Sequence, residues 1–219
     1  MEPDLPQSLE STIAAGLGEL GLPIDRSGAL AELSRLVARW AERINLTAHR
    51  SPEAVARRLV LDALALGAAL PVVPPDTLAD LGSGAGFPGL PLAILWPTCQ
   101  ITMVDSRLRK HHFQLAAIRA LELPNARAIR GRAESLDPAP HQIVVAQAIA
   151  QPAQALRWMR RWVTPDGWLV LPQSDSAPSI AAPADLRFEA IRRYQVPLDG
   201  PARALWLGRC QLDESTGYT

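Results

Sequence analysis

Two different hydrophobic patterns divide the chain near residue 74. Over residues 7–70 the apolar positions recur at helical spacing, as expected for amphipathic helices. The clearest run comprises Leu30, Leu33, Leu36, Val37, Trp40 and Ile44. Ser27 is the predicted N-cap of this helix, and a second helix is predicted from Pro52 to Leu70. The proline-rich stretch from Pro71 to Asp76 ends that second helix.

Beyond this stretch, short apolar segments alternate with helical ones. The predicted strands are Thr77–Leu81, Gln100–Val104, Ala126–Arg130, Gln142–Ala146, Gly167–Leu171, Leu186–Val196 and Ala204–Cys210. The predicted helices between them are Gly89–Leu95, Lys110–Leu121 and Pro152–Val163. Strands that alternate with helices favour a parallel sheet, so we expect an α/β doubly wound fold that the last two strands close as a hairpin. The predicted domains are a helical subdomain over residues 1–73 and a Rossmann-like domain over residues 74–219.

A glycine-rich turn follows the first predicted strand. Its glycines are Gly82, Gly84 and Gly86. Glycine permits positive φ and lets a ligand approach bare backbone, and Pro88 suits an early position in the helix that follows. The next predicted strand leads to Asp105, about twenty residues further on, where a carboxylate accepts hydrogen bonds from ribose hydroxyls. The segment from Thr77 to Asp105 therefore predicts a site for a nucleotide-type cofactor.

Asp80, at the carboxyl end of the first predicted strand, narrows the choice of cofactor. A dinucleotide site holds a pyrophosphate at the helix N-terminus, and a negative charge just before the turn would oppose that anion. S-adenosyl-L-methionine carries an ammonium and a sulfonium but no phosphate. The sequence therefore favours S-adenosyl-L-methionine as the cofactor, while a dinucleotide site and a purely structural turn stay open as alternatives.

Composition limits the class of protein without deciding its function. The chain has 219 residues, of which 48% are hydrophobic, so it can bury one sizeable core. No apolar run reaches the ~20 residues that span a bilayer, and the segment M-E-P-D-L-P is acidic, so we expect a cytoplasmic protein without membrane association. Cys99 and Cys210 match no metal-ligand spacing, and we expect no metal site. The formal net charge of +0 gives no general argument for nucleic acid.

The segment from Arg107 to Arg132 is nevertheless locally basic. Its cations are Arg107, Arg109, Lys110, Arg119, Arg127, Arg130 and Arg132. A solvated helix face is the ordinary interpretation of such a run. If the side chains flank the cofactor cleft, they would instead hold RNA phosphates. The candidate RNA-binding residues are Arg107, Arg109, Lys110 and Arg132.

Five short strings resemble one enzyme family. They are L-G-S-G-A-G-F-P-G-L-P-L-A-I (Leu81 to Ile94), V-D-S-R-L-R-K (Val104 to Lys110), G-R-A-E (Gly131 to Glu134), W-A-E-R-I-N-L-T (Trp40 to Thr47) and R-L-V-L-D-A-L (Arg58 to Leu64). The chain thereby resembles the ribosomal RNA small subunit methyltransferase G family, also called glucose-inhibited division protein B. The resemblance implies a Rossmann-like class I S-adenosylmethionine-dependent methyltransferase fold, with a mainly parallel seven-stranded sheet behind an N-terminal helical extension. It also implies methyl transfer to guanine-N7 in 16S ribosomal RNA, with that RNA or the small ribosomal subunit as the partner, and we expect a monomer.

The same resemblance implies a role for individual residues. With Asp80, the implied cofactor-binding residues are Gly82, Gly84, Gly86, Phe87, Pro88, Asp105, Ala133 and Glu134. The glycines would line the methionine half, Asp105 would bind the ribose, and Ala133 and Glu134 would lie against the adenine. Arg203 resembles an arginine that the family places near the substrate pocket, and it is the candidate catalytic residue, for substrate positioning.

The chain departs from the family pattern on the acceptor side. The changed positions are Leu59, Ala63, Gln147, Pro172 and Gln173. The first two replace a histidine and a serine, Gln147 replaces an arginine, and Pro172 with Gln173 replaces a lysine and a glycine. Each lost charge-assisted contact corresponds to ~1.5 to 3 kcal/mol. Three interpretations therefore stay open: a methyltransferase of 16S ribosomal RNA, one redirected to another RNA or small-molecule acceptor, and a non-catalytic homologue that binds S-adenosylmethionine.

Overall fold

A seven-stranded sheet forms the centre of the computed structural model, which describes residues 8–147, 149–175, 180–183 and 185–210. The strands are β1 (Thr77–Leu81), β2 (Gln100–Asp105), β3 (Ala126–Arg130), β4 (His141–Ala146), β5 (Val163–Ser174), β6 (Leu186–Gln195) and β7 (Ala202–Cys210). Their order across the sheet is β3-β2-β1-β4-β5-β7-β6. The first five strands pair in parallel, and β7 lies antiparallel to both β5 and β6. The predicted parallel sheet with a closing hairpin is confirmed.

Helices cover both faces of this sheet. They are α1 (Leu9–Glu19), α2 (Ser27–Ala41), α3 (Pro52–Val55), α4 (Leu61–Ala68), α5 (Gly89–Leu95), α6 (Leu108–Ala120) and α7 (Pro152–Met159). A π-helical segment, Ala56–Val60, joins α3 to α4, and short 3-10 turns occur at Ile24–Arg26 and Ala133–Ser135. Across the described ranges, no helix combines the length and the hydropathy that crossing a membrane requires.

Alternation along the strands produces one hydrophobic core on each face. On the first face, Leu78 and Leu205 pack with Leu33 of α2 and Phe113 of α6. On the second face, residues such as Leu81 pack against α7. Complete burial of a leucine contributes about 1.5–3 kcal/mol relative to exposure, so the N-terminal helices contribute substantially to the first core. The domain boundary at residue 74 stays a prediction, because the helices before it share this core with the sheet.

Three of the differences from the predicted elements have local reasons. Ser27 does not cap α2: it is the first residue of that helix, and its hydroxyl instead lies 3.4 Å from Glu10 Oε1. The helix predicted from Pro52 is interrupted by the π-helical segment. Strand β5 starts at Val163 rather than Gly167, because a register shift against β4 between His141 and Ile143 accommodates the V-T-P-D-G stretch. In the predicted loop Ser174–Asp185, residues 176–179 and 184 lie outside the described residues.

The topology places a crevice at the carboxyl end of β1. This strand pairs with β2 on one side and with β4 on the other, so the chain leaves successive strands in opposite directions. In open α/β sheets, ligands bind outside the carboxyl ends of the strands at such a switch point. The turn after β1 and the carboxyl ends of β2 and β4 are therefore where a site is expected.

Candidate functional site

The turn after β1 adopts the backbone that its glycines predict. Gly82, Gly84 and Gly86 have φ values of +75°, +59° and +80°. The amides of Gly82 and Ser83 both donate to the carbonyl of Val104, at 2.8 and 3.0 Å, which fixes the turn against the end of β2. Positive φ is strained for any residue with a Cβ, so these positions favour glycine.

Gln114 holds the turn from below, and sequence analysis did not identify it. Its side chain is completely buried on α6, and its Nε2 donates to Ser83 Oγ at 2.7 Å and to the Gly84 carbonyl at 2.9 Å. These two donated hydrogen bonds tie α6 to the turn. A glutamine at a core-facing position of an otherwise cationic helix was the signal available in the sequence.

Asp105 lies at the end of β2 directly beside the turn. Its Oδ2 accepts from the Gly84 amide at 3.0 Å, and its Oδ1 accepts from the Arg107 amide at 2.8 Å. The residue is 7% exposed. Each carboxylate oxygen can accept more than one hydrogen bond, so Asp105 can bind hydroxyl groups of a ligand while it holds the turn.

Asp80 lies beneath the turn, and its predicted role at the cofactor stays a prediction. The residue is completely buried, and its Oδ2 accepts from the Gly89 amide at 3.0 Å, beneath the turn. Desolvation raises the pKa of this carboxyl well above its ordinary value, the Gly89 hydrogen bond opposes that shift, and the charge of Asp105 adds to it. Alternation along β1 turns the side chain into the first core, where it supports α5 instead of lining a cavity.

Two cavities lie on either side of the turn. The Asp105 cavity has a volume of about 350 Å³, and it is lined by Gly82, Val104, Asp105, Ser106, Arg107, Lys110, Gly131, Arg132, Ala133, Glu134, Gln147, Ile149 and Trp158. The Arg203 cavity has a volume of about 390 Å³, and its lining includes Asp62, Phe87, Pro88, Gln147, Ile149, Pro172, Gln173, Tyr194 and Arg203. Gln147 and Ile149 line both cavities, so the segment after β4 separates them.

The structure divides the predicted site residues between these cavities. Gly82, Asp105, Ala133 and Glu134 meet in the Asp105 cavity. Three of the four candidate RNA-binding residues, Arg107, Lys110 and Arg132, line the same cavity, whereas Arg109 is exposed and lines neither cavity. Phe87 and Pro88 line the Arg203 cavity together with Arg203 itself. Gly84 and Gly86 line neither cavity and shape the turn.

Charges of both signs border the Asp105 cavity. Arg132 Nη1 lies 3.6 Å from Glu134 Oε1. Desolvation, together with the nearby charge of Arg107, lowers the pKa of Lys110, while Asp105 opposes this shift. Lys110 Nζ lies near Gly84, 3.4 Å from the position that a Cβ would occupy. The cavity therefore combines a carboxylate floor at Asp105 with a cationic rim, which suits a ligand with hydroxyl groups inside and anionic groups outside.

Ile149 covers the surface of Gly82 between the two cavities. A Cβ built on Gly82 would lie 1.9 Å from Ile149 Cγ2, so the isoleucine side chain rests directly on the glycine. The Asp105 cavity combines a carboxylate that can accept hydroxyl groups with the backbone around Ala133. A ligand group could reach the backbone of Gly82 only if the Ile149 side chain moved. Sequence analysis did not identify this residue.

Arg203 in the second cavity is held by a carboxylate from the N-terminal helices. Its Nε and its Nη2 each lie 3.3 Å from Asp62 Oδ2 on α4, and the hydroxyl of Tyr194 donates to Asp62 Oδ1 at 3.3 Å. Burial raises the pKa of Asp62, while the Arg203 guanidinium opposes that shift. Asp62 and Tyr194 were also not identified as functional residues from the sequence.

Comparison with known proteins identifies sequences similar to this chain. A family model described as rRNA small subunit methyltransferase G matches residues 26–197. The chain is 37% identical over 203 residues to a protein of Xanthomonas campestris pv. campestris (strain 8004) named "Ribosomal RNA small subunit methyltransferase G", covering 90% of this chain and 93% of that protein. A protein of the same name from Chromohalobacter salexigens is 36% identical over 200 residues, covering 90% and 95% respectively.

Solved structures resemble the fold at lower sequence identity. A mutant of MtNAS in complex with S-adenosylmethionine superposes with a TM-score of 0.57 at 14% identity, over 95% of this chain and 86% of that chain. At this identity the likeness concerns the fold alone.

Proposed function

The chain belongs to the rRNA small subunit methyltransferase G family, and on that premise we propose that it transfers the methyl group of S-adenosylmethionine to N7 of a guanine in 16S ribosomal RNA. The observation that carries the proposal is the family match over residues 26–197, which includes the glycine turn and Asp105. The enzyme class and the cofactor follow from this membership, whereas the roles of individual residues are proposals.

The cofactor is proposed to lie across the turn after β1. Asp105 would accept the ribose hydroxyls, and Ala133 and Glu134 would border the adenine, since all three line the Asp105 cavity. Gly82 would face the methionine half once Ile149 has moved. S-adenosylmethionine supplies an electrophilic methyl group on a sulfonium, and the protein supplies its orientation.

The chemistry at N7 asks the protein mainly for positioning. Guanine-N7 carries a lone pair and no proton, so its attack on a methyl group needs no general base. Rate enhancement then comes from holding the base in line with the methyl carbon. The Arg203 cavity is the proposed acceptor site, because it lies across the turn from the Asp105 cavity and shares Gln147 and Ile149 with it.

The basic residues around the Asp105 cavity are proposed to bind RNA phosphates. Arg107 and Arg132 line the cavity rim and Arg109 is exposed nearby, so the cations face solvent beside the proposed cofactor site. Each phosphate that such a residue neutralises releases counterions and contributes a salt-dependent share of the affinity. We also propose that the enzyme acts in the cytoplasm as a monomer.

A second candidate function is favoured by one observation. Gln147, Pro172 and Gln173, which depart from the family pattern, all line the Arg203 cavity. Changes concentrated in the proposed acceptor site are what a redirected substrate preference would produce. The alternative is a methyltransferase that uses the same cofactor on another RNA position or on a small-molecule acceptor.

One pair of measurements tests the proposal and separates the alternative. Calorimetry with S-adenosylmethionine should show binding to the wild type and much weaker binding to Asp105→Ala, while the absence of heat from the wild type would refute cofactor binding. Guanine methylation of 16S ribosomal RNA should then be mapped in a strain that lacks the gene and in the same strain with the gene restored. An unchanged methylation pattern, with cofactor binding intact, would reject the ribosomal acceptor and favour the alternative.

A further inference from the structure

Arg203 in the acceptor cavity is oriented by groups from two other elements. Asp62 Oδ2 lies 3.3 Å from both Nε and Nη2 of the guanidinium. Both contacts use one edge of the planar group, which leaves the Nη1 amino group for a different acceptor. The side chains of Arg203 and Asp62 are 34% and 20% exposed, so the pair is partly shielded from water at the cavity wall.

Tyr194 completes the arrangement from β6. It stands directly opposite Arg203 in the antiparallel pairing of β6 and β7, so both side chains project from the same face of the sheet. Its hydroxyl donates to Asp62 Oδ1 at 3.3 Å, so each carboxylate oxygen has a partner. All three residues line the Arg203 cavity.

A second arginine on the same face provides an internal comparison. Arg192, opposite Leu205 in the same strand pair, donates from Nη1 to the carbonyls of Ala69 and Leu70 at 2.9 and 2.7 Å. It therefore also ties β6 to the end of α4. Arg192 does not line the Arg203 cavity, and its partners are backbone carbonyls instead of a carboxylate. Arg192 thus also attaches α4 to the sheet, so attachment alone does not explain why a half-buried carboxylate lies inside the cavity.

We propose that Asp62, held by Tyr194, is a positioning residue that fixes the Arg203 guanidinium so that its free amino group donates to an oxygen of the acceptor nucleotide. This inference rests on the proposed function. The oxygen belongs either to the guanine base, whose O6 lies beside N7 on the same edge, or to a neighbouring phosphate. In either case the contact aligns the nucleotide, and the loss of the carboxylate lets the guanidinium rotate away.

The test compares Asp62→Asn and Tyr194→Phe with Arg192→Gln as the matched control. Methyl transfer is measured on small ribosomal subunits that lack the modification, cofactor affinity by calorimetry, and stability by urea unfolding. We expect Asp62→Asn to lower kcat/KM for subunits by about 10-fold or more, the size of one charge-assisted contact, with cofactor affinity unchanged. Arg192→Gln should lower the free energy of unfolding about as much as Asp62→Asn does. It should nevertheless leave kcat/KM for subunits unchanged. The kcat/KM of Tyr194→Phe should lie between the values of Asp62→Asn and Arg192→Gln.

A charge swap distinguishes positioning from simple attachment. Asp62→Arg combined with Arg203→Asp restores an ion pair, so it should recover stability, but it moves the guanidinium to α4 and should not recover activity. Recovery of activity by the swap, or a parallel loss of activity in Arg192→Gln, would overturn the inference. Wild-type protein that binds the cofactor but methylates no subunits would instead refute the proposed function, and the inference with it. Acceptor RNA that carries 2-aminopurine in place of the guanine lacks O6. If this replacement lowers methyl transfer by the wild type but not by Asp62→Asn, the oxygen that Arg203 contacts belongs to the base.

Discussion

Replacement of Gly82 by alanine meets two separate obstacles in this structure. The residue has a φ of +75°, and a left-handed backbone costs an ordinary residue about 1–2 kcal/mol. The new Cβ would also lie 1.9 Å from Ile149 Cγ2, so the isoleucine must shift, and overpacking of this kind costs about 1–3 kcal/mol. We expect Gly82→Ala to lower the free energy of unfolding by the sum, about 2–5 kcal/mol.

Two further variants separate these contributions. Gly21 has a φ of +65°, and among the described residues no atom beyond its chain neighbours lies within 4 Å of the position that a Cβ would take, so Gly21→Ala should show the backbone strain alone. The double variant Gly82→Ala with Ile149→Ala should regain the part of the free energy of unfolding that overpacking removes. The effect of Ile149→Ala by itself has to be subtracted first. Urea unfolding of the four variants and the wild type gives each difference directly.

Cofactor binding provides an independent measurement on the same variants. If the methionine half lies over Gly82 as proposed, Ile149 has to move before it can bind. Ile149→Ala should then bind S-adenosylmethionine several-fold more tightly, because about 1 kcal/mol of contact between Ile149 and the turn no longer has to be broken. Gly82→Ala should bind it more weakly, because the added methyl group would lie on the surface proposed to face the methionine half. The reasoning is refuted if Gly82→Ala and Gly21→Ala destabilise equally and Ile149→Ala leaves the cofactor affinity unchanged.

Three other predictions concern charge and thiol chemistry. Burial raises the pKa of Asp80, so the folded protein holds this proton more tightly than the unfolded chain does. The free energy of unfolding of the wild type should therefore fall as pH rises from the ordinary aspartate range towards the raised pKa. Asp80→Asn should flatten this dependence in urea titrations without weakening cofactor binding. Arg132→Ala should weaken RNA binding and reduce the slope of log affinity against log salt concentration by about 1. The control variant Arg39→Ala disrupts a pair with Glu32 on α2 and should leave this slope unchanged. Equal slopes for the two variants would contradict the proposed RNA contact. Desolvation, with the charge of Asp76 adding to it, raises the pKa of the fully buried Cys99 to about 12. A thiol-alkylating reagent should therefore label Cys99 only after unfolding, as detected by mass spectrometry. Rapid labelling of the native protein would contradict the burial of this thiol.

Local patterns were sufficient to predict most of the architecture. Strand β1 and strand β3 have the predicted bounds, as does α5, because each is short, apolar on the predicted face and bordered by glycine, proline or polar residues. The start of β5 was missed because V-T-P-D-G has the composition of a turn. Only pairing with β4, through a register shift, makes that stretch a strand.

The sequence predicted part of the geometry at the candidate site. Asp105 was placed correctly beside the turn, because its position at the end of β2 follows from strand length and from the spacing after the glycines. The sequence did not show that Asp80 is completely buried, which alternation along β1 and the packing of α5 decide. Which face of a strand meets a cavity depends on neighbours that are distant in the sequence.

The sequence by itself determined the fold class, the glycine turn, the carboxylate at the end of β2 and the family, since these are properties of contiguous segments. Tertiary structure alone decided that Ile149 covers Gly82 and that Asp62 meets Arg203, residues 141 positions apart in the chain. Such contacts arise where α4, the segment after β4 and the last strand converge, and hydrophobic periodicity carries no information about which side chains then touch.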